Sequence, residues 1–324
     1  PMAYMEQGLG CRWIADLFAV FCTLASFGIG NMAQANSIAG ALSSSFRIPA
    51  PATALAVSLL LCGVMMGGLR RIGSVTEKLV PFMSCLYIAG AGLVIFTHIH
   101  ALPAALASIF REAFNLQAGA GGIGGYGIMT AMRVGISRGV FTNEAGMGSS
   151  VIVHAASDIR EPAEQGMWGI FEVFADTIVV CSLTALAILT SGVYDQQTYA
   201  QALGSPALQL LPSAAELTGS AFSTVFGRGG GVFISISVTL FAFSTLIGWS
   251  YYGQQSVVYL LGDRFAPVYQ VLFSAAAAVG CLAGLQLVWD ISDTFNGLMA
   301  IPNLAAVTLL SGKVIQVTKD YLKK

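Results

Sequence analysis

The stretch Gly139-Val-Phe-Thr-Asn-Glu-Ala-Gly-Met-Gly-Ser149 places glycines, side-chain oxygens and a carboxylate between two apolar parts of the chain. A backbone within lipid must satisfy its own polar groups, so an interrupted helix at that depth normally lines a binding cavity. The peptide therefore predicts a broken membrane helix with a binding site at its centre. A short loop outside the membrane is the alternative that these residues leave open.

The composition of the chain predicts a membrane protein. Of its 324 residues, 56% are hydrophobic and 10% are charged, and the mean hydropathy is +0.75. Soluble domains carry about 25% charged residues. A net charge of -1, without a cluster of basic residues, excludes nucleic acid as a partner. The six cysteines lack metal-ligand spacing and are predicted to be small packing residues.

Apolar runs of about 18 residues or more predict eight membrane-spanning helices. They cover residues 13–44, 52–69, 79–99, 124–157, 167–192, 231–261, 267–288 and 291–312. Residues 102–118 are too short and too charged to span, so they predict an interfacial helix. Residues 193–230 predict a long connection outside the cell. We therefore expect an all-α integral membrane protein whose residues 1–324 form a single domain.

The distribution of Lys and Arg predicts the orientation, because positive charge is retained on the cytoplasmic side. Ten of the 15 basic residues fall on the side of the N-terminus: Arg12, Arg70, Arg71, Lys78, Arg160, Arg264, Lys313, Lys319, Lys323 and Lys324. Three fall on the other side: Arg47, Arg111 and Arg228. Both termini are thus predicted to be cytoplasmic. The first span follows Pro1 closely without a cleavable signal, so we expect a fragment of a longer protein.

Side chains of the broken helix offer the ligands that a sodium ion or a zwitterion needs. Thr142 and Asn143 supply oxygens, while an opened backbone presents carbonyls to a cation and N–H groups to a carboxylate. Glu144 is predicted to be either a direct ligand or a structural partner of Arg133 or Arg138. In the first span, the amide of Gln34 predicts either a substrate contact or a hydrogen bond between helices.

Two further spans carry candidate residues. Glu172 and Asp176 lie four residues apart on one helix face, which predicts a gating or ion-coupling role or a snorkelling position near the cytoplasmic end. In the sixth span, Thr245 and Trp249 share a face and Ser244 is adjacent. Their hydroxyls suit a hard cation and the indole suits a small apolar group. Back-bonded hydroxyls beside an interfacial indole are the alternative.

No enzyme is predicted. Residues 119–124 have the spacing G-x-G-x-x-G and residues 135–139 the spacing G-x-S-x-G, but neither follows a predicted strand. His154 is predicted to be a packed or gate-facing residue rather than a base. An intramembrane hydrolase is disfavoured because no base is tied to a serine.

The residues resemble the alanine or glycine:cation symporters, also called sodium:alanine symporters. The resemblance covers most of the chain. It rests on Gly30-Asn-Met-Ala-Gln-Ala-Asn-Ser37, Glu77-Lys-Leu-Val-Pro-Phe82, Arg138-Gly-Val-Phe-Thr-Asn-Glu-Ala-Gly-Met-Gly-Ser149, Gly248-Trp-Ser-Tyr-Tyr-Gly253 and Trp289-Asp-Ile-Ser-Asp-Thr-Phe-Asn-Gly-Leu-Met-Ala-Ile-Pro-Asn303. It implies a LeuT-like fold of two inverted five-helix repeats, of which the eight spans are core helices three to ten. The absent first core helix would supply half of the binding site.

The resemblance also implies the function: alternating-access symport of alanine or glycine into the cell with Na+ as the coupling ion, across the plasma (inner) membrane. The substrate site would be Gln34, Phe141, Thr142, Asn143, Thr245 and Trp249, and sodium would bind Ser244 and Thr245. We expect no cofactor and no metal other than sodium. The lipid bilayer is an expected partner, and the sequence identifies no protein partner. A proton-coupled transporter of the same fold, titrating Glu144, Glu172 or Asp176, and an ion channel remain alternatives.

Overall fold

In a computed structural model of the chain, residues 1–113, 122–202, 211–212 and 214–323 are described, and they form helices joined by short turns. The α-helices are α1 (Arg12–Phe27), α2 (Ala33–Phe46), α3 (Ala50–Met65), α4 (Gly68–Thr97), α5 (Leu102–Ala113), α6 (Gly122–Asn143), α7 (Ser150–His154), α8 (Pro162–Val173), α9 (Ser182–Thr190), α10 (Gln196–Ala202), α11 (Ala214–Phe226), α12 (Gly229–Leu261), α13 (Ala266–Leu282) and α14 (Leu285–Leu322). Shorter π-helical segments cover Tyr4–Gly8, Gly28–Met32 and Phe174–Cys181, and 3₁₀ turns cover Ile99–Ala101 and Asp263–Phe265.

Six helical stretches within the described residues are long and apolar enough to cross a membrane. They are Arg12–Phe46, Gly68–Thr97, Pro162–Thr190, Gly229–Leu261, Asp263–Leu282 and Asp293–Leu322. The multi-pass membrane prediction is thus confirmed, and six of the eight predicted spans coincide with these stretches over most of their length. The predicted span 52–69 falls on α3, which has only 16 residues. The predicted span 124–157 comprises α6, an irregular turn and α7. Eight spans are therefore not confirmed.

Two predicted connections contain helices. The predicted interfacial helix at 102–118 corresponds to α5, and its residues 114–118 lie outside the described residues. The predicted connection 193–230 contains α10 and α11, and its residues 203–210 and 213 are likewise outside. Residues 135–139 lie inside α6, so the G-x-S-x-G spacing does not form a turn between a strand and a helix. Residues 119–121 of the G-x-G-x-x-G spacing are not described.

The chain divides into two compact units. The first unit comprises Pro1–Met83, Glu144–Glu172 and Val238–Lys324. In it, α1 continues through the π-helical segment Gly28–Met32 into α2, and α13 packs on α2, α3 and that segment, while α14 packs on α1. A β-carbon at Gly280 would lie 2.6 Å from the Cα of Met32, so α13 approaches this segment backbone to backbone.

The second unit comprises Ser84–Asn143 and Val173–Ser237. Its core is a group of stacked rings: Phe222 stacks on Tyr87 at 5.8 Å and on Phe233 at 5.1 Å between ring centroids. Gly90 makes this stacking possible, because a β-carbon there would lie 2.5 Å from the Phe233 ring. Within this unit α9 packs on α5 and α11, and α6 packs on the π-helical segment Phe174–Cys181.

Large apolar side chains on the outside of these helices are left uncovered. Phe96 is 73% exposed, Ile170 71% and Leu309 70%. Such exposure would be unfavourable in water, whereas lipid is as apolar as the side chains themselves. The exposed surface is therefore the one expected of a protein surrounded by hydrocarbon.

Candidate functional site

The predicted interruption of the 124–157 segment is present in the structure. Helix α6 ends at Asn143, and α7 begins after six irregular residues, Glu144–Ser149, which we call the break. Three residues of the break have positive φ: Glu144 at 50°, Gly146 at 77° and Gly148 at 86°. Glycine adopts this conformation without a steric penalty, whereas a glutamate in it must be held by its surroundings.

The carboxylate of Glu144 is the centre of a group of donors in the first unit. It accepts a hydrogen bond of 2.7 Å from the hydroxyl of Ser149. The indole of Trp249 and the phenol of Tyr252, both on α12, supply further donors beside it. Charge-assisted hydrogen bonds of this kind offset the cost of removing a carboxylate from water. The side chain of Arg133, one of its two predicted partners, lies outside the described residues.

The indole of Trp249 also closes onto the first span. Trp249 is only 2% exposed, and a β-carbon at Gly30 would lie 2.3 Å from its Cγ. The ring therefore rests directly on the backbone of the π-helical segment Gly28–Met32. Gln34, one turn further along, donates from Nε2 to the carbonyl of Ile29 at 3.2 Å. The structure thus brings Trp249 together with Glu144 on one side and with the first span on the other.

The other two amides of the first span join helices to one another. Asn31 is fully buried and donates to the carbonyl of Phe273 at 2.6 Å. Asn36 donates to the carbonyls of Gly280 and Ala283 at 3.0 and 2.8 Å. These bonds hold α13 against the first span. Both amides therefore form hydrogen bonds between helices, which is the structural alternative to a substrate contact.

The hydroxyls of Ser244 and Thr245 bond to their own helix. Both donate to the carbonyl of Phe241, at 2.8 Å and 3.0 Å respectively. This is the back-bonded arrangement that the sequence left as an alternative. Because each hydroxyl donates its proton to a carbonyl of its own helix, its oxygen lone pairs remain available for a cation.

In the second unit, the end of α6 is tied to the π-helical segment Phe174–Cys181. Thr142 donates to the carboxylate of Asp176 at 2.9 Å. Thr177 donates to the amide oxygen of Asn143 at 2.7 Å. Phe141, the remaining predicted residue of this stretch, is partly buried. The two hydrogen bonds fix the side chains of α6 immediately before the break.

A cavity of about 420 Å³ in the first unit adjoins the same region. One wall contains His154, whose Nε2 lies 3.1 Å from a carboxylate oxygen of Glu172. Gln165 donates to Nδ1 of that ring, so the ring proton is on Nε2. Tyr252 also lines the cavity. Glu172 is thus bonded to a histidine, and its side chain is 58% exposed.

The predicted site residues divide between the two units. The first unit contains Gln34, Glu144, Glu172, Ser244, Thr245 and Trp249, and the second contains Phe141, Thr142, Asn143 and Asp176. Glu172 and Asp176, predicted to share one face, have different hydrogen-bond partners, His154 and Thr142.

Sequence reasoning missed two residues that contact this region. Tyr252 was quoted only as part of a motif, and its donor lies beside Glu144. Asn303 on α14 donates to the carbonyl of Gly146 in the break at 2.8 Å. The available signal was an amide within an apolar helix, the same signal that drew attention to Gln34.

Known proteins are similar to this chain over nearly its whole length. The model of the sodium:alanine symporter family matches residues 1–324. An uncharacterized transporter of Haemophilus influenzae is 38% identical over 100% of this chain and 69% of its own length. The sodium/alanine symporter AgcS of Methanococcus maripaludis is 38% identical over 99% and 68%. The probable sodium/glutamine symporter GlnT of Bacillus subtilis is 38% identical over 100% and 64%. The chain spans about two thirds of these relatives.

Proposed function

The chain belongs to the sodium:alanine symporter family, and on that premise we propose that it carries a small neutral amino acid, alanine or glycine, into the cell together with sodium. It is a multi-pass membrane transporter and not an enzyme. The finer features belong to the proposal: a LeuT-like arrangement of core helices three to ten, a position in the plasma membrane and cytoplasmic termini. The excess of Lys and Arg on one side supports that orientation.

The observation that carries the proposal is the contact of Trp249 with both the break and the first span. A broken helix frees backbone groups for ligands, and here it is adjacent to a buried indole that rests on Gly30. We propose that the indole, together with Phe141, limits the size of the substrate side chain to a methyl group or a hydrogen. A small amino acid is therefore the substrate class that this geometry favours.

The residues proposed to contact the amino acid are Gln34, Phe141, Thr142, Asn143, Thr245 and Trp249. Ser244 and Thr245 are proposed to bind Na+, because their hydroxyl protons are directed to the carbonyl of Phe241 and their lone pairs are left for a hard cation. Backbone carbonyls would complete the coordination. No cofactor is proposed.

The proposed mechanism uses sodium to organise the site. Sodium binds first and draws the unwound backbone into a fixed shape, after which the amino acid binds with its carboxylate at backbone N–H groups and its side chain against Trp249. The loaded protein then opens inward. The membrane potential contributes to the drive, since one charge moved across 100 mV is worth about 2.3 kcal/mol.

Uptake of radiolabelled alanine into vesicles containing the full gene product tests the proposal. We expect uptake with external sodium and none with external potassium. Trp249→Ala should weaken discrimination against glutamine, which is relevant because GlnT is named for that amino acid. The control is Trp168→Ala, which changes an exposed tryptophan of α8. Equal uptake with and without a sodium gradient would refute sodium coupling.

Proton coupling is the second candidate, because Glu144 is a carboxylate among several donors at the break. It predicts uptake that follows an inward pH gradient and does not need sodium. An ion channel, the third class, predicts flux that does not saturate with alanine concentration. The same vesicles distinguish all three: sodium symport requires a sodium gradient, proton symport requires a pH gradient, and a channel gives flux that does not saturate.

A further inference from the structure

We propose that Asn303 is a positioning residue of the transport site: its side chain fixes the shape of the break, and Tyr4 in turn fixes the side chain of Asn303. The inference deepens the proposed function and rests on it, because the break begins directly after Asn143, one of the residues proposed to contact the amino acid. Asn303 itself is 2% exposed and is not among the residues proposed to touch the amino acid.

The first step concerns a backbone carbonyl that no helix satisfies. Gly146 has φ of 77°, and its carbonyl lies in the six irregular residues between α6 and α7. Gly146 itself is exposed, but a carbonyl in an apolar segment that has no helical donor still needs another one. The Nδ2 group of Asn303 supplies one at 2.8 Å.

The second step concerns the orientation of the Asn303 amide. The hydroxyl of Tyr4 donates to Oδ1 of Asn303. An amide turned by 180° would place Oδ1 against the Gly146 carbonyl and Nδ2 toward the Tyr4 hydroxyl, which loses the first bond outright. Tyr4 and Gly146 together therefore allow one orientation only.

The third step concerns how closely the break is pressed onto α14. A β-carbon at Gly148 would lie 2.7 Å from Oδ1 and 2.8 Å from Cγ of Asn303. One at Gly146 would lie 2.8 Å from a methyl of Leu304. The backbone of the break thus lies directly on two adjacent side chains of α14.

These contacts control the position of the Glu144 carboxylate. Glu144 is two residues before Gly146 and itself has positive φ, so its direction depends on the turn that Asn303 holds. The contacts of Gly146 and Gly148 with Asn303 and Leu304 form what we call the clamp. Ser149, the hydrogen-bond partner of Glu144, follows the clamp directly. Loosening the clamp should displace both the Glu144 carboxylate and the Ser149 hydroxyl, although neither residue is substituted.

The test compares Asn303→Ala with Asn296→Ala, which removes a second buried asparagine from the same helix. In vesicles, Asn303→Ala should raise the KM for the transported amino acid about tenfold with little change in the maximal rate, because the Gly146 carbonyl loses the donor that holds the shape of the break. Tyr4→Phe should raise KM by a smaller factor. The double variant should be no worse than Asn303→Ala, because Tyr4 acts through Asn303.

A second measurement does not depend on the substrate. Hydrogen exchange of the amides of residues 144–149 should become faster in Asn303→Ala and unchanged in Asn296→Ala, at equal amounts of folded protein. Unchanged exchange, or additive effects of the Tyr4 and Asn303 substitutions, would overturn the inference. Faster exchange in a protein that proves not to transport alanine with sodium would support the clamp and refute only the proposed function.

Discussion

Polar residues on the two sides of the Asn143–Glu144 peptide bond are held in different ways. On the side of the first unit, the Glu144 carboxylate has three side-chain donors around it, one from the break and two from α12. On the side of the second unit, Thr142 has Asp176 and Asn143 has Thr177, each in a single hydrogen bond between two side chains.

The difference indicates which side tolerates change. A group bonded to several partners loses all of them when it is removed, and each partner is left buried without its acceptor. A one-to-one pair loses one bond, worth about 0.5–1.5 kcal/mol, and the exposed hydroxyl of Thr142 can turn to other acceptors. We therefore expect substitutions in the first unit to have larger effects on transport than substitutions in the second.

The largest expected effect is that of Gly30→Ala. The added methyl would lie 2.3 Å from the Trp249 ring, far inside contact distance, so the indole must leave its place between the break and the first span. Alanine uptake should fall at least about 100-fold, since several interactions of the site are lost together. Uptake per amount of protein in the membrane is the measurement.

The matched control is Gly40→Ala on α2, where a β-carbon would have nothing within 4 Å. It should leave uptake unchanged and slightly stabilise the helix. Gly90→Ala extends the comparison to the second unit, because its methyl would meet the Phe233 ring at 2.5 Å. That variant should lower the midpoint of thermal unfolding but change the uptake of alanine by the remaining folded protein only slightly. Equal loss of uptake in the Gly40 variant would contradict the role given to the Trp249 contact.

Removal of the two carboxylates should differ by about an order of magnitude. Glu144→Ala leaves the Ser149 hydroxyl without its acceptor and removes the carboxylate beside the donors of Trp249 and Tyr252, and we expect uptake to fall about 50-fold. Asp176→Ala leaves only the Thr142 hydroxyl, and we expect about a fivefold decrease. Kinetics of uptake at varied sodium concentration provide the measurement. A larger effect at Asp176 than at Glu144 would reverse the comparison between the units.

A smaller effect is expected from the hydroxyl pairs of the second unit. Thr177→Val keeps the shape of the side chain and removes the donor to Asn143. Loss of one hydrogen bond between partly buried groups should change uptake by about threefold. Thr184→Val is the control, because its hydroxyl bonds Tyr87 rather than the end of α6. A similar loss of uptake in both variants would indicate a general effect on the second unit.

Sequence patterns predicted the break but not its partners. Glycines and oxygen side chains inside an apolar stretch predict an interrupted helix, and that inference needs only neighbouring residues. The bond from Asn303 to Gly146 joins residues 157 positions apart, and periodicity contains no information about such pairs. The hydrophobic pattern likewise predicted one long first span. It did not predict the π-helical segment Gly28–Met32, because a change in hydrogen-bond register leaves the apolar residues apolar.

The choice between alternatives also depended on contacts that are distant in sequence. The amides of Asn31, Gln34 and Asn36 are equivalent in a hydropathy profile. In the structure, Asn31 and Asn36 donate to α13, whereas Gln34 donates to its own helix beside Gly30. The first two join the first span to α13, and the substrate role of Gln34 stays a prediction.

The smallest effect is expected at Glu172, although it was predicted with Asp176 as a coupling candidate. Its side chain is 58% exposed and its bond to His154 is a single one of 3.1 Å. An exposed pair of this kind contributes about 0–1 kcal/mol. Glu172→Gln retains an acceptor for the Nε2 proton, so sodium-dependent uptake should change less than twofold. Glu164→Gln on the same helix is the matched exposed control. If Glu172→Gln instead abolishes the sodium dependence of uptake while Glu164→Gln does not, the coupling role belongs to Glu172. The number of donors around a carboxylate would then not predict its effect on transport.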